Sequence, residues 1–263
     1  MLESIILGIV QGVFEWLPVS SEGLLVLIQT QFFGGAGLTE AIQMALFLHL
    51  GTFLAAFIYF FDEVEHLFRS LLNYKKISKE RRAILNFYIV ATFVSGVVGL
   101  ILKGVLVELE QVFIVSADII VIVVALLLFV TAYLQLRKKT MTFREESEVN
   151  NADAILTGAV QGLSALPGVS RSGSTTSILL IQRFHEMDAL KMSFVLSLPI
   201  VLAGNIVFNL NSFFFSIESL VGFLAAFIFG WITIDALLKL ARKMNFGWFV
   251  LVFAVLLIAS LFI

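Results

Sequence analysis

Gly8-Ile9-Val10-Gln11-Gly12-Val13-Phe14-Glu15-Trp16-Leu17-Pro18-Val19-Ser20-Ser21-Glu22-Gly23 is the stretch on which the fold turns. It is apolar enough for a membrane, yet Gln11, Glu15, Pro18, the two serines and Glu22 interrupt it. A second stretch repeats its plan: Gly158-Ala159-Val160-Gln161-Gly162, then Leu166-Pro167-Gly168-Val169-Ser170-Arg171-Ser172-Gly173. Each half is too short to span, because a spanning helix needs about 20 residues. Each centre is too polar to face lipid. A helix–loop–helix that enters the membrane and turns back accounts for both, over 1–31 and 152–182. Such backbone survives at depth only where protein buries it or a wet cavity takes its polar groups.

The rest of the chain is membrane-like. Of its 263 residues 60% are hydrophobic and only 14% are charged, and the mean hydropathy is +1.03, whereas soluble domains lie near ~45–50% apolar. Apolar segments long enough to span run over 41–61, 85–106, 112–136, 192–209, 217–238 and 247–263, the last being short. All should be helices, since lipid offers no partner to an open backbone. The fold class is therefore an all-α polytopic membrane protein. A net charge of −2 argues against nucleic acid as a partner. With no cysteine there is neither a disulfide nor a thiolate metal site. Met1-Leu2-Glu3-Ser4 lacks the basic start of a signal peptide, so this end reads as mature protein.

The two interrupted stretches share Gly-x-x-Gln-Gly, then Leu-Pro and Ser. After each comes a related run, Leu48-His49-Leu50-Gly51-Thr52 and Leu196-Ser197-Leu198-Pro199-Ile200. The chain reads as a single membrane domain made of two repeats, 1–136 and 151–263, joined by a charged linker at 137–150. Each repeat holds a re-entrant hairpin and three transmembrane helices, an odd number, so the second sits upside down relative to the first. Basic residues orient it: Arg69 to Arg82, Arg137 to Arg144, and Lys239, Arg242 and Lys243 mark the inside. Both termini then fall outside, and the hairpin tips can meet near the midplane as in inverted-repeat transporters.

Glu15 is the clearest functional sign, because a carboxylate at membrane depth costs ~2.5–3.5 kcal/mol on insertion scales. Gln11 lies one turn earlier on the same face, and Glu22 follows on the loop. Their oxygens suit a hard cation, Mg²⁺ or Ca²⁺, whose shell a substrate phosphate would complete. An interfacial helix end would also explain these acids. Arg171, flanked by Ser170, Ser172, Ser174 and Thr175 with Gly168 and Gly173 nearby, suits phosphate: its fork matches phosphate oxygens, and a helix starting near Ser172 adds its positive end. Simple neutralisation of Glu15 would explain the arginine but not the hydroxyls. Ser20 and Ser21, taken alone, read as caps of the next helix. His49 reads either as a proton carrier or as a hydrogen bond between helices. Arg144-Glu145-Glu146 reads as a solvated linker; Asp118 and Asp235 stay unplaced.

Together the two motifs resemble the undecaprenyl-pyrophosphate phosphatase family, membrane enzymes linked to bacitracin resistance. The first motif is matched by Gln11, Gly12, Glu15, Leu17, Pro18, Ser20 and Ser21. The second is matched throughout, from Pro167 to Thr175. The resemblance implies hydrolysis of a polyprenyl diphosphate lipid to its monophosphate, recycling a glycan carrier, in a multi-pass protein of the cell membrane with its site open to the outer face. It implies that Glu15 and Gln11 serve the divalent cation and substrate. Arg171 would clamp phosphates, helped by Ser170 and Thr175, and Ser21 would be the nucleophile. Ser20, Ser172, Gly173 and Ser174 complete the expected substrate cradle. One departure stands out: Thr-Gly-His usually follows the paired serines, and here Glu22-Gly23-Leu24 stands there. Glu22 or His49 would have to replace the missing histidine, and Gln11 replaces an acid. A lipid-phosphate transporter without hydrolysis is the competing reading, and a homodimer stays open.

Overall fold

The structure, a computed structural model, describes residues 1–33, 38–106, 143–165, 169–209, 216–243 and 245–262, with scattered positions between 122 and 136. The described residues are overwhelmingly helical. α1 (Leu2–Phe14) and α2 (Ser21–Ile28) form the first hairpin, and α6 (Asn151–Gly162) and α7 (Arg171–Ile181) form the second. Between and after them run α3 (Leu38–Tyr59), α4 (Phe61–Leu72), α5 (Lys79–Leu106), α8 (Glu186–Asn209), α9 (Ile217–Lys243) and α10 (Phe246–Ala259).

α3, α5, α8 and α9 are long and apolar enough to cross a membrane. They correspond to the expected spans at 41–61, 85–106, 192–209 and 217–238, with α8 and α9 extending further than the apolar runs suggest. α10 is apolar but shorter, and it passes into a 3-10 turn over Ser260–Phe262. The span expected at 112–136 lies mostly outside the described residues; Ala125, Leu128 and Ala132 within it are helical and buried in the core. Asp118 lies outside the described residues as well.

The repeated Gly-x-x-Gln-Gly has a packing cause. A Cβ on Gly8 would lie 2.2 Å from the Gly222 carbonyl oxygen, and one on Gly12 would lie 2.6 Å from the Gly230 nitrogen. α1 and α9 therefore touch backbone to backbone. In the second hairpin, a Cβ on Gly158 would lie 2.5 Å from the Ala91 carbonyl, and Gly162 is pressed against Val98 and the Ser95 carbonyl. Glycines four apart give a helix a flat strip for such contact, which matters in lipid because dispersion and close approach, not water exclusion, hold helices together. Each hairpin's first helix is thus clamped to a long span.

The linker reading needs correction. Residues 137–142 lie outside the described set; Glu145 is exposed as expected, but Arg144 and Glu146 are partly buried and paired. Arg144 donates to both oxygens of Asp153, at 2.9 and 2.6 Å, and its guanidinium lies 4.5 Å from the Phe184 ring centre. The bond to Asp153 raises the Arg144 guanidinium above its ordinary value, against the effect of partial burial. Glu146 accepts from the Tyr88 hydroxyl at 2.9 Å and pairs with Lys191. Hydrophobic neighbours and buried acids turn this charged segment into a tie between the second hairpin, α5 and α8. Asp235 accepts from the Tyr59 hydroxyl at 3.3 Å and pairs with Lys239. The basic segments around 69–82 and 239–243 therefore gather at one end of the bundle together with Arg144.

Candidate functional site

The first hairpin turns where its sequence stops a helix. Pro18 has no N–H to continue the ladder. Ser20 then caps α2, its side chain accepting from the Gly23 N–H at 3.2 Å. The second tip does the same: Ser170 caps α7, accepting from the Gly173 N–H at 3.1 Å. The two tips touch. The Leu17 carbonyl accepts from the Ser172 hydroxyl at 2.7 Å and from Ser170 at 3.4 Å. A Cβ on Gly173 would lie 2.9 Å from Pro18 Cα, so the contact requires glycine.

Glu15 sits at this meeting point and is 4% exposed. One carboxylate oxygen pairs with Arg171 of the opposite tip. The other accepts from Gln11 Nε2 at 2.8 Å and from the Ser21 hydroxyl at 2.9 Å, and faces His49 Nε2 at 3.2 Å. A buried acid is tolerated when it is paired and hydrogen-bonded, and here both oxygens have partners. His49 and Thr52 lie midway along α3, and Gly230, whose carbonyl accepts from Trp16 Nε1 at 3.0 Å, lies midway along α9. The cluster is therefore at mid-depth in the bundle.

His49 has a proton arrangement dictated by its neighbours. Its Nδ1 lies 2.7 Å from the Ala45 carbonyl, which can only accept, so Nδ1 carries hydrogen. The contact between Nε2 and Glu15 then needs a second proton, on either the ring or the carboxyl. A transferable proton is thus fixed between His49 and Glu15.

Two buried atoms here have no partner: Gln11 Oε1 and Arg171 Nη1. Buried polar groups are nearly always satisfied, so an orphan acceptor and an orphan donor beside one ion pair mark a place where something else binds. The other expected residues are distributed unevenly. Ser21 joins Glu15, while Ser20 is occupied as the α2 cap. Glu22 is half-buried, within electrostatic reach of His49 and Glu15. Ser172 and Gly173 shape the contact between tips. Ser174 donates to the Ser170 carbonyl of its own helix at 2.8 Å, and Thr175 donates to Gln161 at 3.3 Å, inside the second hairpin. Sequence reasoning missed Trp16 and undervalued Thr52. Trp16 packs on Phe194 with ring centres 4.9 Å apart and lies 5.9 Å from the Arg171 guanidinium. Thr52 faces Gln11 Nε2 at 3.4 Å and donates to the His49 carbonyl at 3.1 Å. A tryptophan directly after Glu15, the residue that closes α1, was the available signal.

Among the described residues no three or more His, Asp or Glu gather as a closed metal cage. The donor set nevertheless fits a cation shared with a substrate. Gln11 Oε1 is an unpartnered buried oxygen of the same amide that donates to Glu15, and Mg²⁺ typically keeps waters and takes one or two carboxylates plus phosphate oxygens.

The sequence matches the family described as bacitracin resistance protein BacA over residues 4–259. It is similar to an undecaprenyl-diphosphatase of Methanococcoides burtonii, 38% identical across 99% of this chain and 98% of that one. Undecaprenyl-diphosphatases of Haloarcula marismortui (35%, covering 94% and 92%) and Methanothrix thermoacetophila (34%, covering 98% and 96%) are similar too.

Proposed function

The chain belongs to the bacitracin resistance protein BacA family, and on that premise we propose that it hydrolyses a polyprenyl diphosphate of the undecaprenyl type. The products are the lipid monophosphate and inorganic phosphate, which returns a glycan carrier lipid to use. The observation that carries this reading is the pair of unpartnered buried atoms, Arg171 Nη1 and Gln11 Oε1, on two side chains that both bind Glu15. A diphosphate would supply anionic oxygens for the first, and the second is an oxygen that would help hold a divalent cation.

The residue roles follow from the contacts. Arg171 holds a terminal phosphate oxygen with the guanidinium face that Glu15 leaves free. The positive N-terminal end of α7, which Arg171 opens, favours the same charge. Ser21 is the nucleophile: its hydroxyl already donates to Glu15, which takes the proton as Oγ attacks the terminal phosphorus. The bond from that phosphorus to the bridging oxygen breaks, and the lipid monophosphate leaves. Water then cleaves the phosphoserine to release phosphate. The proton fixed between His49 and Glu15 is available to the departing oxygen, which fills the role of the histidine that Leu24 replaces. A divalent cation held by Glu15 and Gln11 would neutralise charge on the diphosphate.

The two hairpins we read as inverted-topology halves, 1–136 and 151–263, whose tips share one site. The basic end of the bundle we read as the inner face, so the site opens outward, where spent carrier appears. The test is phosphate release from undecaprenyl diphosphate by the purified chain in detergent, with Mg²⁺, Ca²⁺ or EDTA. Release that EDTA abolishes and either cation restores is expected. Absence of release from a folded sample under every condition would overturn the reading. Glu15→Gln and Ser21→Ala should each lose release while folding; full activity in Ser21→Ala would make water the direct attacker.

A further inference from the structure

We propose that α4 and the basic turn after it form a docking surface for anionic glycerophospholipid headgroups at the basic end of the bundle. α3 ends at Tyr59 and α4 begins at Phe61, so the chain leaves a membrane span and turns at once into a short amphipathic helix. Val64 and Leu67 pack on the core. Phe61, Phe68 and Leu72 do not: they are 49%, 60% and 69% exposed. Their spacing of seven and then four residues puts them on one stripe of α4. Asp62 and Glu63 sit elsewhere, whereas Glu65, four residues after Phe61 and three before Phe68, borders the stripe as a paired charge. Glu65 pairs with Arg69 at 2.7 Å, and Asp62 and Glu63 line a polar cleft of about 350 Å³ with His66, Arg81 and Lys191. An apolar stripe at the end of a membrane span, with charge on the other side, is the pattern of a helix lying in the headgroup boundary.

The turn beyond α4 gives the surface its sign. Residues 73–82 carry Lys75, Lys76, Lys79, Arg81 and Arg82 against one acid, Glu80. Arg82 folds inward, donating to the carbonyls of Tyr74 at 3.2 Å and Ile77 at 3.5 Å, with its guanidinium 5.1 Å from the Tyr74 ring centre. The Tyr74 hydroxyl donates to Asn86 at 3.1 Å. The turn is therefore braced, and it holds Lys75, Lys76 and Lys79 outward; among the described residues no carboxylate forms an ion pair with them. Unpaired ammonium groups on a fixed turn, continuous with an exposed apolar stripe, match a surface that is negative at the headgroup and apolar beneath. An acidic protein would match the lysines but would leave Phe68 and Leu72 uncovered.

The experiment is native mass spectrometry of the purified full chain with equimolar phosphatidylglycerol and phosphatidylcholine. Retained phosphatidylglycerol should exceed phosphatidylcholine by at least about fivefold, the factor one lysine near an anionic surface is worth. The variant K75Q/K76Q/K79Q should lower that ratio to near unity with an unchanged helical melt. F68S/L72S should reduce retention of both lipids and keep the ratio. If the triple variant fails to fold, K75Q, K76Q and K79Q measured singly should each lower the ratio. Equal retention of both lipids by the unmodified chain, or a preference that survives the lysine changes, would overturn the proposal.

Discussion

Glu15 shows how much a single residue reveals and where it stops. A carboxylate in an apolar run has few harmless explanations, so it was legible, and Arg171 was legible for the same reason. That the two meet was not, because they belong to separate hairpins. His49 shows the same limit. Its sequence neighbours are apolar, and its use depends on the Ala45 carbonyl and on Glu15. His49→Gln should keep a hydrogen bond to Glu15 and fold, yet slow phosphate release by about 10²–10⁴-fold, the usual worth of a general acid or base. Single-turnover kinetics would check this, and an unchanged rate would remove His49 from the chemistry. The paired serines separate equally clearly. Ser20→Ala removes a helix cap and should cost about 0.5–2 kcal/mol of stability, whereas Ser20→Gly should cost only a few tenths. Thermal unfolding of the two variants tests that difference.

At the scale of the element, glycine spacing and hydropathy carry different information. Hydropathy located α3, α5, α8 and α9, because lipid demands length and apolarity of any span. It did not show why Gly8, Gly12, Gly158 and Gly162 recur, since their partners Gly222, Gly230, Ala91 and Val98 lie far along the chain. Gly12→Ala places a methyl group against the Gly230 backbone and should destabilise by about 1–3 kcal/mol as α1 is pushed from α9. Because Trp16 bonds to Gly230, the same change should also disturb Arg171 and lower activity. A melting curve and a phosphate assay together check this; an unchanged melt would show that α1 can shift without cost. α4 had no span-length signal, and its amphipathic character became meaningful once α3 was seen to end beside it.

At the scale of the molecule, the segment before the second hairpin is a fastening. Arg144→Ala would leave Asp153 buried without its bidentate partner and remove the cover on Phe184. A loss of about 1–3 kcal/mol is expected, the usual cost of an unsatisfied buried group. Denaturant unfolding would measure it, and an Arg144→Ala/Asp153→Ala double variant should recover part of the loss. Composition had suggested a solvated linker there because charged runs usually are. Here acids from one segment find bases from another, and only their meeting in space changes the outcome.

The sequence by itself determined that this is an all-α membrane protein with two interrupted hairpins, and it marked Glu15 and Arg171 as polar groups needing a reason. Those conclusions rest on local cost: lipid penalises every exposed backbone group and every charge wherever it occurs, so the pattern is visible one segment at a time. Only the tertiary structure decided that Ser21 and His49 join Gln11 on Glu15, that Ser174 and Thr175 spend their hydroxyls elsewhere, and that Arg171 Nη1 and Gln11 Oε1 are left unpaired. Convergence depends on which helices pack together, through close backbone contacts such as Gly12 on Gly230 and Gly173 on Pro18, and that choice belongs to the whole chain.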